Sequence, residues 1–549
     1  MATDNKYDRQ LRLWGPHGQR NLMESNILLV NADAAGTETL KNLVLPGVGR
    51  FTVADDQIVS EADLGTNFFV TANDLGKSRA EVVTKLLCEL NPDVTGIAQN
   101  GNIQECCNEI FIKNFTLIIL VNIPEILFLS LSKLCWQHNI PIILIKSYGL
   151  IGSCRIQLNN HNIIESKPDE GESRKPDLRI SKPFIQLQNF TDSIDFSTLD
   201  GHALVHLPYI IILLKLLQEW CQMRNNGNLP TTFAEKGAFK QYVSEIANTM
   251  KSAKGLKSSD GENWSEAIDN AYLAHYKGDL PWEAEGVMQR LNNPEFKPNS
   301  DFDVMLCALK RFQNSHDNAL PLSGIIPDVT ASTTYFQNLQ KVYHDKANED
   351  RKKFNEYINE VINEYGLSPG LDGSPIVNDS AIELFCKNIR NIRSVTTRSL
   401  DDERTNPAAD AITEAIFEPD VAEDPKQNPI LWYLALRGAD RFYTNHGRYP
   451  GTGDMIRDRD DLWELIQVIS NEYLPSEGEV LADGLEGVLT IDHATEVTRY
   501  GACVLHNVAA LIGGVASQEA VKIITHQYMP LNNTFIYNGV ASIGYRFEA

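Results

Sequence analysis

The sequence predicts an α/β chain in which a mostly parallel sheet is interrupted by a large, mainly helical insertion. Within the first 165 residues, short apolar runs alternate with stretches of helical spacing, which is typical of a parallel sheet with crossover helices. From about residue 200 to 480 the spacing is almost wholly helical, and α/β character returns near the C-terminus. We therefore predict three segments, at residues 1–165, 166–482 and 483–549.

The first segment contains four apolar runs that have the length of buried strands. They lack the alternation of a half-buried strand, as expected where both faces of a sheet are covered. Between them, apolar residues recur at helical spacing. The predicted strands are 27–30, 51–54, 115–123 and 140–145, and the predicted helices are one that ends at 46–47, then 80–90 and 127–135.

The chain leaves this pattern at a polar stretch and resumes it near its C-terminus. Residues 165–173 are charged and contain Pro and Gly, which indicates a linker. Residues 509–525 have the spacing of a helix with small residues on one side. Residues 535–547 predict a β-hairpin that turns at Asn538-Gly539, a dipeptide favoured in two-residue turns. The last segment is therefore expected to complete the sheet.

Composition argues against several classes of partner. The 549 residues carry a net charge of −23, so the average surface would repel a phosphate backbone and we expect no nucleic-acid binding. No apolar run reaches the roughly 20 residues of a membrane-spanning helix, so we expect no membrane partner. The nine cysteines are dispersed without a CxxC pair, so we expect no metal site. This cysteine usage is typical of a reducing compartment, and we expect the cytoplasm, with the nucleus as a second location.

The loop after the first strand lacks the glycines of a phosphate-binding site. In such sites a GxGxxG pattern lets the backbone amides of a helix N-terminus approach a phosphate. Here residues 31–36 are Asn-Ala-Asp-Ala-Ala-Gly, so only Gly36 remains. The Cβ of Ala34 would fill space that a phosphate uses, and the carboxylate of Asp33 would repel it. From these residues alone, two interpretations stay open: a nucleotide site that was lost, or a fold that never had one.

Several motifs resemble the adenylation fold of enzymes that activate ubiquitin-like modifiers. They are KYDRQLRLWG at 6–15, LKNLVLPG at 40–47, NFF at 67–69, GKSRAE at 76–81 and ALIGGVASQEAVKIIT at 510–525. Three segments of the insertion are similar to one branch only, the regulatory subunits of the neddylation activating enzyme; they are 322–328, 439–442 and 447–451. The resemblance runs from residue 6 to the C-terminus and implies a Rossmann-like adenylation fold.

This resemblance implies that three parts of an ATP site are missing together. The phosphate-binding glycines of active members fall on Asn31, Asp33 and Ala34. The arginine that would bind the ATP phosphates falls on Thr66, and the aspartate that would bind magnesium falls near Ile123. Without these groups the chain would lose most of the electrostatic stabilisation that adenylation requires.

Three other positions of the implied site are kept. Gly36 is the glycine that allows close helix packing, Asp55 is the acidic residue that would hold a ribose, and Arg79 keeps the positive charge at the next helix start. Because these do not replace the missing groups, Asp55 is better interpreted as a residue at a strand end. The resemblance thus implies that this chain is not an enzyme by itself, and that ATP and magnesium are bound by a partner subunit.

The resemblance also places the thiol chemistry on the partner. Cys221, Cys307 and Cys386 lie at helical spacing among apolar residues, which predicts buried structural side chains. The helical insertion would then correspond to half of the family's cysteine-bearing domain, without its reactive cysteine.

The implied partners are a catalytic activating subunit and the ubiquitin-like modifier that is attached to cullins. In such heterodimers the arginine of the N-terminal motif, here Arg9, would reach the ATP bound by the other subunit. We expect 47–70 and 322–345 to face the partner, and the interface residues predicted from them are Gly47, Asp63, Asn67, Phe68, Phe69, Pro327 and Tyr335. The alternatives are a stand-alone adaptor or a divergent nucleotide-binding enzyme.

Overall fold

The computed structural model describes residues 6–101, 104, 108–167, 177–225, 227–257, 259–276, 278–368, 376–418, 421–473 and 487–549. The chain divides into two units. Unit 1 comprises Met1–Lys167 and Ser394–Ala549, and unit 2 comprises Pro168–Arg393.

In the N-terminal part of unit 1, strands and helices alternate as the apolar pattern predicts. The strands are β1 (Asn26–Val30), β2 (Arg50–Ala54), β3 (Thr95–Gln99), β4 (Leu117–Val121), β5 (Ile142–Tyr148), β6 (Ile151–Gln157) and β7 (His161–Ile163). The helices are α1 (Asp8–Glu24), α2 (Ala34–Val44), α3 (Glu61–Thr66), α4 (Arg79–Leu90), α5 (Glu109–Ile112) and α6 (Glu125–Gln137). Strands β4 and β5 are buried along their whole length, which explains their continuous apolar runs.

Unit 2 is mainly helical and has its own buried core. Its helices are α7 (Ile185–Asp192), α8 (Gly201–Val205), α9 (Tyr209–Arg224), α10 (Phe233–Ala253), α11 (Glu262–Asp269), α12 (Trp282–Gln289), α13 (Asp301–Ser315), α14 (Thr333–Tyr365) and α15 (Asp379–Asn388). Helix α9 is buried from Tyr209 to Leu214 and packs against α7, α10 and α11. Its first half therefore lies in this core, whereas its polar residues, such as Gln218 and Gln222, are exposed.

The C-terminal part of unit 1 begins with helices and ends with two strands. Its elements after β8 (Arg393–Val395) are α16 (Leu400–Thr405), α17 (Ala409–Phe417), α18 (Pro429–His446), α19 (Met455–Tyr473), α20 (Ile491–Tyr500), α21 (His506–Thr525), β9 (Thr534–Asn538) and β10 (Ile543–Phe547). Residues from 394 onward thus belong with the sheet, which differs from the predicted insertion of 166–482. The predicted boundary at 482–483 lies outside the described residues, as does most of the predicted linker.

A buried ionic network explains why α16 and α18 pack with the sheet. Glu403 of α16 accepts a hydrogen bond from Nε of Arg155 on β6 at 2.8 Å. Nη1 of Arg437 on α18 donates to Glu125 at the start of α6 at 2.6 Å. Helical periodicity predicts that these segments are helices, but it carries no information about such distant partners.

The main sheet contains eight strands in the order β10-β9-β6-β5-β4-β1-β2-β3. The five strands from β5 to β3 are mutually parallel, and β6, β9 and β10 extend the sheet with antiparallel pairings. Because β9 pairs with β6, the end of the chain completes the sheet that its beginning forms, as predicted. The architecture is the Rossmann-like α/β fold expected from the sequence.

The predicted hairpin is present, but its predicted two-residue turn is wrong. The register pairs Asn538 with Ile543, so the loop contains the four residues 539–542. Ser542 in this loop has a left-handed backbone, with φ of +59°. The Asn-Gly dipeptide therefore begins a longer loop and is not the whole turn.

Helix α21 is the central helix on one face of the sheet. It packs against α1 and α2 and against β5 and β6. A Cβ on Gly513 would lie 3.0 Å from the Cβ of Glu38 on α2, so the small residue permits the close approach of the two helices. Within the described residues α21 also has the length and apolar composition of a membrane-spanning helix, and 61% of its apolar stretch is buried inside the protein.

Candidate functional site

The candidate site lies at the carboxyl edge of the parallel strands, where the loops after β1, β2, β4 and β5 meet. A ligand crevice is expected beside β1, because the strand order reverses between β1 and β4. A cavity of about 460 Å³ lies at this edge. Four residues predicted from the sequence line it, namely Asn31, Asp33, Arg79 and Ile123.

The loop after β1 is held tightly against the neighbouring strands. Asn31 has a left-handed backbone, with φ of +71°, and its Nδ2 donates to the carbonyl of Val121 at 2.8 Å. A Cβ on Gly36 would lie 2.8 Å from the carbonyl oxygen of Asn31, so this one glycine is needed for the turn. The fold has kept the glycine required for packing.

The N-terminus of α2 is capped by the chain's own carboxylate. Asp33 Oδ1 accepts hydrogen bonds from the backbone N–H groups of Ala35 at 2.9 Å and Gly36 at 3.1 Å. Its Oδ2 accepts from Nδ2 of Asn122 at 2.6 Å. Burial raises the pKa of Asp33, against the opposing effect of the Gly36 N–H. These amides and the positive end of the helix dipole are the groups that would otherwise hold a phosphate. Asp33 therefore occupies the anion position, and the buried methyl of Ala34 lies beside it.

Arg79 keeps its charge but is bound to carboxylates of the same chain. Its Nε donates to Asp55 at 2.8 Å, its Nη1 donates to Asp63 at 3.0 Å, and its Nη2 donates to Oδ1 of Asn31 at 2.6 Å. Burial opposes the charged form of Arg79, but Asp55 and Asp63 raise its pKa. Four of the five guanidinium hydrogens can be assigned to these bonds, since Nη2 also lies 3.3 Å from Asp55.

Asp55 has a structural role at the end of β2. Its Oδ2 accepts from the backbone N–H of Ala32 at 2.7 Å, and its Oδ1 accepts from that of Gln57 at 2.8 Å. Together with the pair to Arg79, these bonds join the loop after β1 to the loop after β2. This placement fits the interpretation of Asp55 as a strand-end residue.

The two remaining positions of the implied ATP site offer no charge to a ligand. Thr66 lies at the end of α3, where its hydroxyl donates to the carbonyl of Ala62 at 3.0 Å. Ile123 is buried in the apolar core next to β4. Among the described residues there is no group of three or more His, Cys, Asp or Glu side chains that could hold a metal ion. The residues present do not fit a magnesium-bound triphosphate.

Other residues at the cavity were not predicted from the sequence. Lys146 on β5 lines the cavity and forms an ion pair with Asp440 of α18. Tyr148, Tyr443 and Tyr449 also line it. A lysine within an apolar strand could have indicated Lys146 as a site residue. No local pattern indicates Tyr443 and Tyr449, because only the fold brings them to the cavity.

Arg9 lies outside this cavity, on the exposed surface of α1. Within the described part of the chain it has no hydrogen bond or ion pair, whereas Arg12, one turn later, pairs with Asp8 at 3.0 Å. The neighbouring Tyr7 is anchored, because its hydroxyl donates to Asp93 at 2.9 Å. The N-terminal motif thus fixes the start of α1 and leaves the guanidinium of Arg9 exposed, with no partner among the described residues.

The predicted interface residues have different surroundings. Gly47, Asp63 and Asn67 are buried: Tyr7 covers Gly47, Arg79 binds Asp63, and the backbone N–H of Phe69 donates to Asn67 at 3.0 Å. Phe69, Pro327 and Tyr335 are half-buried. Phe68 is 83% exposed, and its ring stacks on His506 with centroids 6.2 Å apart. Of the predicted set, Phe68 has the side chain most available to a partner.

Three of the described cysteines are poor candidates for a nucleophile, because burial stabilises their neutral thiols. Burial raises the pKa of Cys386 to about 12 and that of Cys307 to about 11. The pKa of Cys221 is also raised by burial. Cys221 and Cys386 are buried as predicted, whereas Cys307 is half-buried. A thiolate is required for nucleophilic attack, so the raised pKa values do not favour a catalytic role for these side chains.

The whole chain is similar to a group of known proteins. The model of the ThiF family matches residues 7–548. The chain is 37% identical to the NEDD8-activating enzyme E1 regulatory subunit of Danio rerio, over 100% of this chain and 99% of that protein. It is 37% identical to the NEDD8-activating enzyme E1 regulatory subunit AXR1 of Arabidopsis thaliana, over 98% of this chain and 95% of that protein.

Proteins of lower sequence identity also match parts or all of the chain. The NEDD8-activating enzyme E1 regulatory subunit of Drosophila melanogaster is 33% identical, over 98% of this chain and 96% of that protein. A crystal structure of E. coli MccB matches 28% of this chain and 45% of that chain, at 18% identity and a TM-score of 0.25. On the family model and the full-length relatives, this chain belongs to the ThiF family and, within it, to the NEDD8-activating enzyme E1 regulatory subunits.

Proposed function

We propose that this chain is the non-catalytic subunit of a heterodimer that activates NEDD8, the ubiquitin-like modifier of cullins. In this proposal the catalytic partner binds ATP and magnesium, adenylates the modifier and then carries it as a thioester. This chain contributes the second half of the assembly and helps to form the groove for the modifier.

The observation that supports this proposal best is the carboxylate of Asp33 on the N-terminus of α2. A triphosphate at this position would meet a buried negative charge instead of unoccupied amides. Arg79, the retained cation, is bound to Asp55 and Asp63 and cannot turn to a ligand without leaving two buried carboxylates unpaired. The site therefore disfavours the charge that adenylation would place there.

The surroundings of Arg9 support a contribution to the partner's reaction. A guanidinium that has no partner among the described residues of its own chain can donate to phosphate oxygens across a subunit interface. We propose that Arg9 stabilises the charge that develops on the partner-bound nucleotide. Arg9 is exposed, and the hydrogen bond of Tyr7, two residues earlier, fixes the start of its helix. Both features support this role.

Reconstitution with purified proteins tests the proposed function. The chain would be mixed with the catalytic subunit and NEDD8, and adenylation would be followed as exchange of pyrophosphate into ATP. We expect a one-to-one complex and exchange by the pair only, with no exchange by this chain alone. Exchange by the isolated chain, or a chain that remains monomeric beside the catalytic subunit, would contradict the proposal.

We also propose that the protein acts in the cytoplasm and the nucleus. The dispersed cysteines support a reducing compartment, and the described cysteines form no disulfide. Fluorescence microscopy of the tagged full-length chain tests this placement, and exclusive recovery from a membrane-enclosed oxidising compartment would contradict it.

A further inference from the structure

We propose that the cavity at the carboxyl edge of the sheet binds an organic cation, an alkylammonium or guanidinium group. The volume of about 460 Å³ lies within the range of small-molecule sites. The described residues that line it all belong to unit 1.

The positive groups at the cavity already have partners. Arg79 is bound by Asp55 and Asp63, and Lys146 is paired with Asp440. An anionic ligand could therefore contact a positive charge only after it had broken a buried ion pair. Breaking such a pair costs free energy, because the carboxylate that loses its cation stays buried and poorly solvated.

The negative groups are in excess. Three cations, Arg79, Lys146 and Arg437, face carboxyl groups on the lining and directly behind it, namely Asp33, Asp55, Asp56, Asp63 and Asp440. The carboxyl groups thus outnumber the cations by two. Asp33 accepts three hydrogen bonds where a carboxylate can accept about four, so it can receive one more donor. A cation in the cavity would also stabilise its charged form.

Three tyrosine rings add a surface that suits a cation. The ring centroids of Tyr148 and Tyr449 are 5.7 Å apart, and those of Tyr443 and Tyr449 are 4.7 Å apart. Burial raises the pKa of Tyr449 well above its usual value, so its phenol stays neutral. Neutral aromatic rings attract ammonium and guanidinium groups through their quadrupoles, and they do not attract carboxylates or phosphates in this way.

An orphaned hydroxyl points independently to a ligand. Ser147 lines the cavity and is 2% exposed, and its Oγ has no hydrogen-bond partner within the described residues. A buried polar group without a partner is uncommon and costs about 1–3 kcal/mol. The hydroxyl can accept a hydrogen bond from an ammonium or guanidinium donor, which would supply the missing partner.

The first experiment compares three ligands of equal length that differ in charge. Butylammonium, butanol and butyrate would be titrated into the purified full-length chain and followed by ligand-observed NMR. We expect butylammonium to bind at least tenfold more tightly than butanol, and butyrate to show no saturable binding. Equal affinities, tighter binding of butyrate, or no binding of butylammonium would overturn the proposal.

Two variants locate the site of binding. Asp33→Asn removes the charge while its side-chain carbonyl can still cap α2, and we expect at least tenfold weaker butylammonium binding. Ser147→Ala removes the orphaned hydroxyl, with an expected loss of a few fold. Glu464→Gln is the matched control, because Glu464 is exposed on α19 and does not line the cavity, and the affinity of this variant should equal that of the wild type. Thermal unfolding checks that each variant is folded. Unchanged binding by folded Asp33→Asn would overturn the assignment.

A fourth ligand distinguishes a free amine from a lysine side chain of another protein. N-acetyl-lysinamide carries the same butylammonium group on a peptide-like backbone. Tighter binding than butylammonium would support a protein side chain as the natural ligand, and weaker binding would support a small free amine. Both results support a cation site.

Discussion

The carboxyl edge of the sheet and the N-terminal helix α1 each present an arginine, in opposite surroundings. Arg79 at the edge is buried and donates to Asp55, Asp63 and Asn31. Arg9 on α1 is exposed and has no partner within the described residues. An arginine side chain thus links parts of the structure in one region and is an available hydrogen-bond donor in the other. The positive charge of Arg79 is therefore bound by groups of the chain itself, whereas that of Arg9 is available to a ligand or partner.

The largest expected effect follows from removing the structural arginine. Arg79→Met would leave Asp55 and Asp63 buried without their cation, and we expect unit 1 to lose about 3–5 kcal/mol of stability. Urea unfolding monitors this loss. Arg9→Met is the matched control and should change stability by less than about 0.5 kcal/mol. Equal effects of the two substitutions would remove the distinction between the regions.

Acid should weaken the ion pairs of Glu125, which follows the cavity residue Pro124 in the chain. Burial opposes ionisation of Glu125, but Arg437 and Arg404 lower its pKa from 4.5 to about 2. Because the folded-state pKa is lowered, the stabilisation is complete above pH 4.5 and is lost as the pH falls toward 2. The loss amounts to about 3 kcal/mol. The stability difference between wild type and Glu125→Gln should therefore be largest near pH 7 and small near pH 2; a constant difference would contradict this account.

Substitution of the exposed arginine should affect the reaction and leave the fold intact. We expect Arg9→Ala to slow adenylation of NEDD8 by the heterodimer at least tenfold, which corresponds to about 1.4 kcal/mol, with unchanged heterodimer yield. Arg12→Ala, one turn away and also exposed, should have little effect. The assay is pyrophosphate exchange with both variants assembled on the same catalytic subunit. If Arg12→Ala slowed the reaction as much as Arg9→Ala, the role assigned to Arg9 would be wrong.

The smallest of these effects concerns the carboxylate that caps α2. Asp33→Ala removes the acceptor for two helix N–H groups, and we expect a loss of about 1 kcal/mol. The variant should still bind no ATP, because Arg79 remains tied to its carboxylates. Differential scanning calorimetry measures the first effect and ATP titration the second. Magnesium-dependent ATP binding by Asp33→Ala would mean that Asp33 alone closes the site.

Much of the parallel sheet could be predicted because four of its five strands carry a local apolar signal. The runs at 27–30 and 51–54 are apolar because β1 and β2 are covered on both faces. Strand β3 lies at the sheet edge and is only partly buried, so its sequence is not distinctive. Strand β6 contains Arg155, whose charge is balanced by Glu403 about 250 residues later. Neither strand could be recognised from local apolar pattern.

The candidate site could be predicted where its chemistry is local to one loop. The loss of glycines at 31–36 is visible in the sequence, and so is the negative charge of Asp33. The bonds that complete the site are not, because Asn122 and Arg79 reach the loop from other strands and helices. The sequence predicts that a phosphate site is missing, and the structure shows which side chains lie at that position.

We expect this chain to bind no nucleotide, because its own charged groups occupy the candidate site. Calorimetric titration of the purified chain with ATP and magnesium, without any partner, measures this binding. No saturable binding is expected up to about 1 mM. Magnesium-dependent binding in the micromolar range would contradict this expectation.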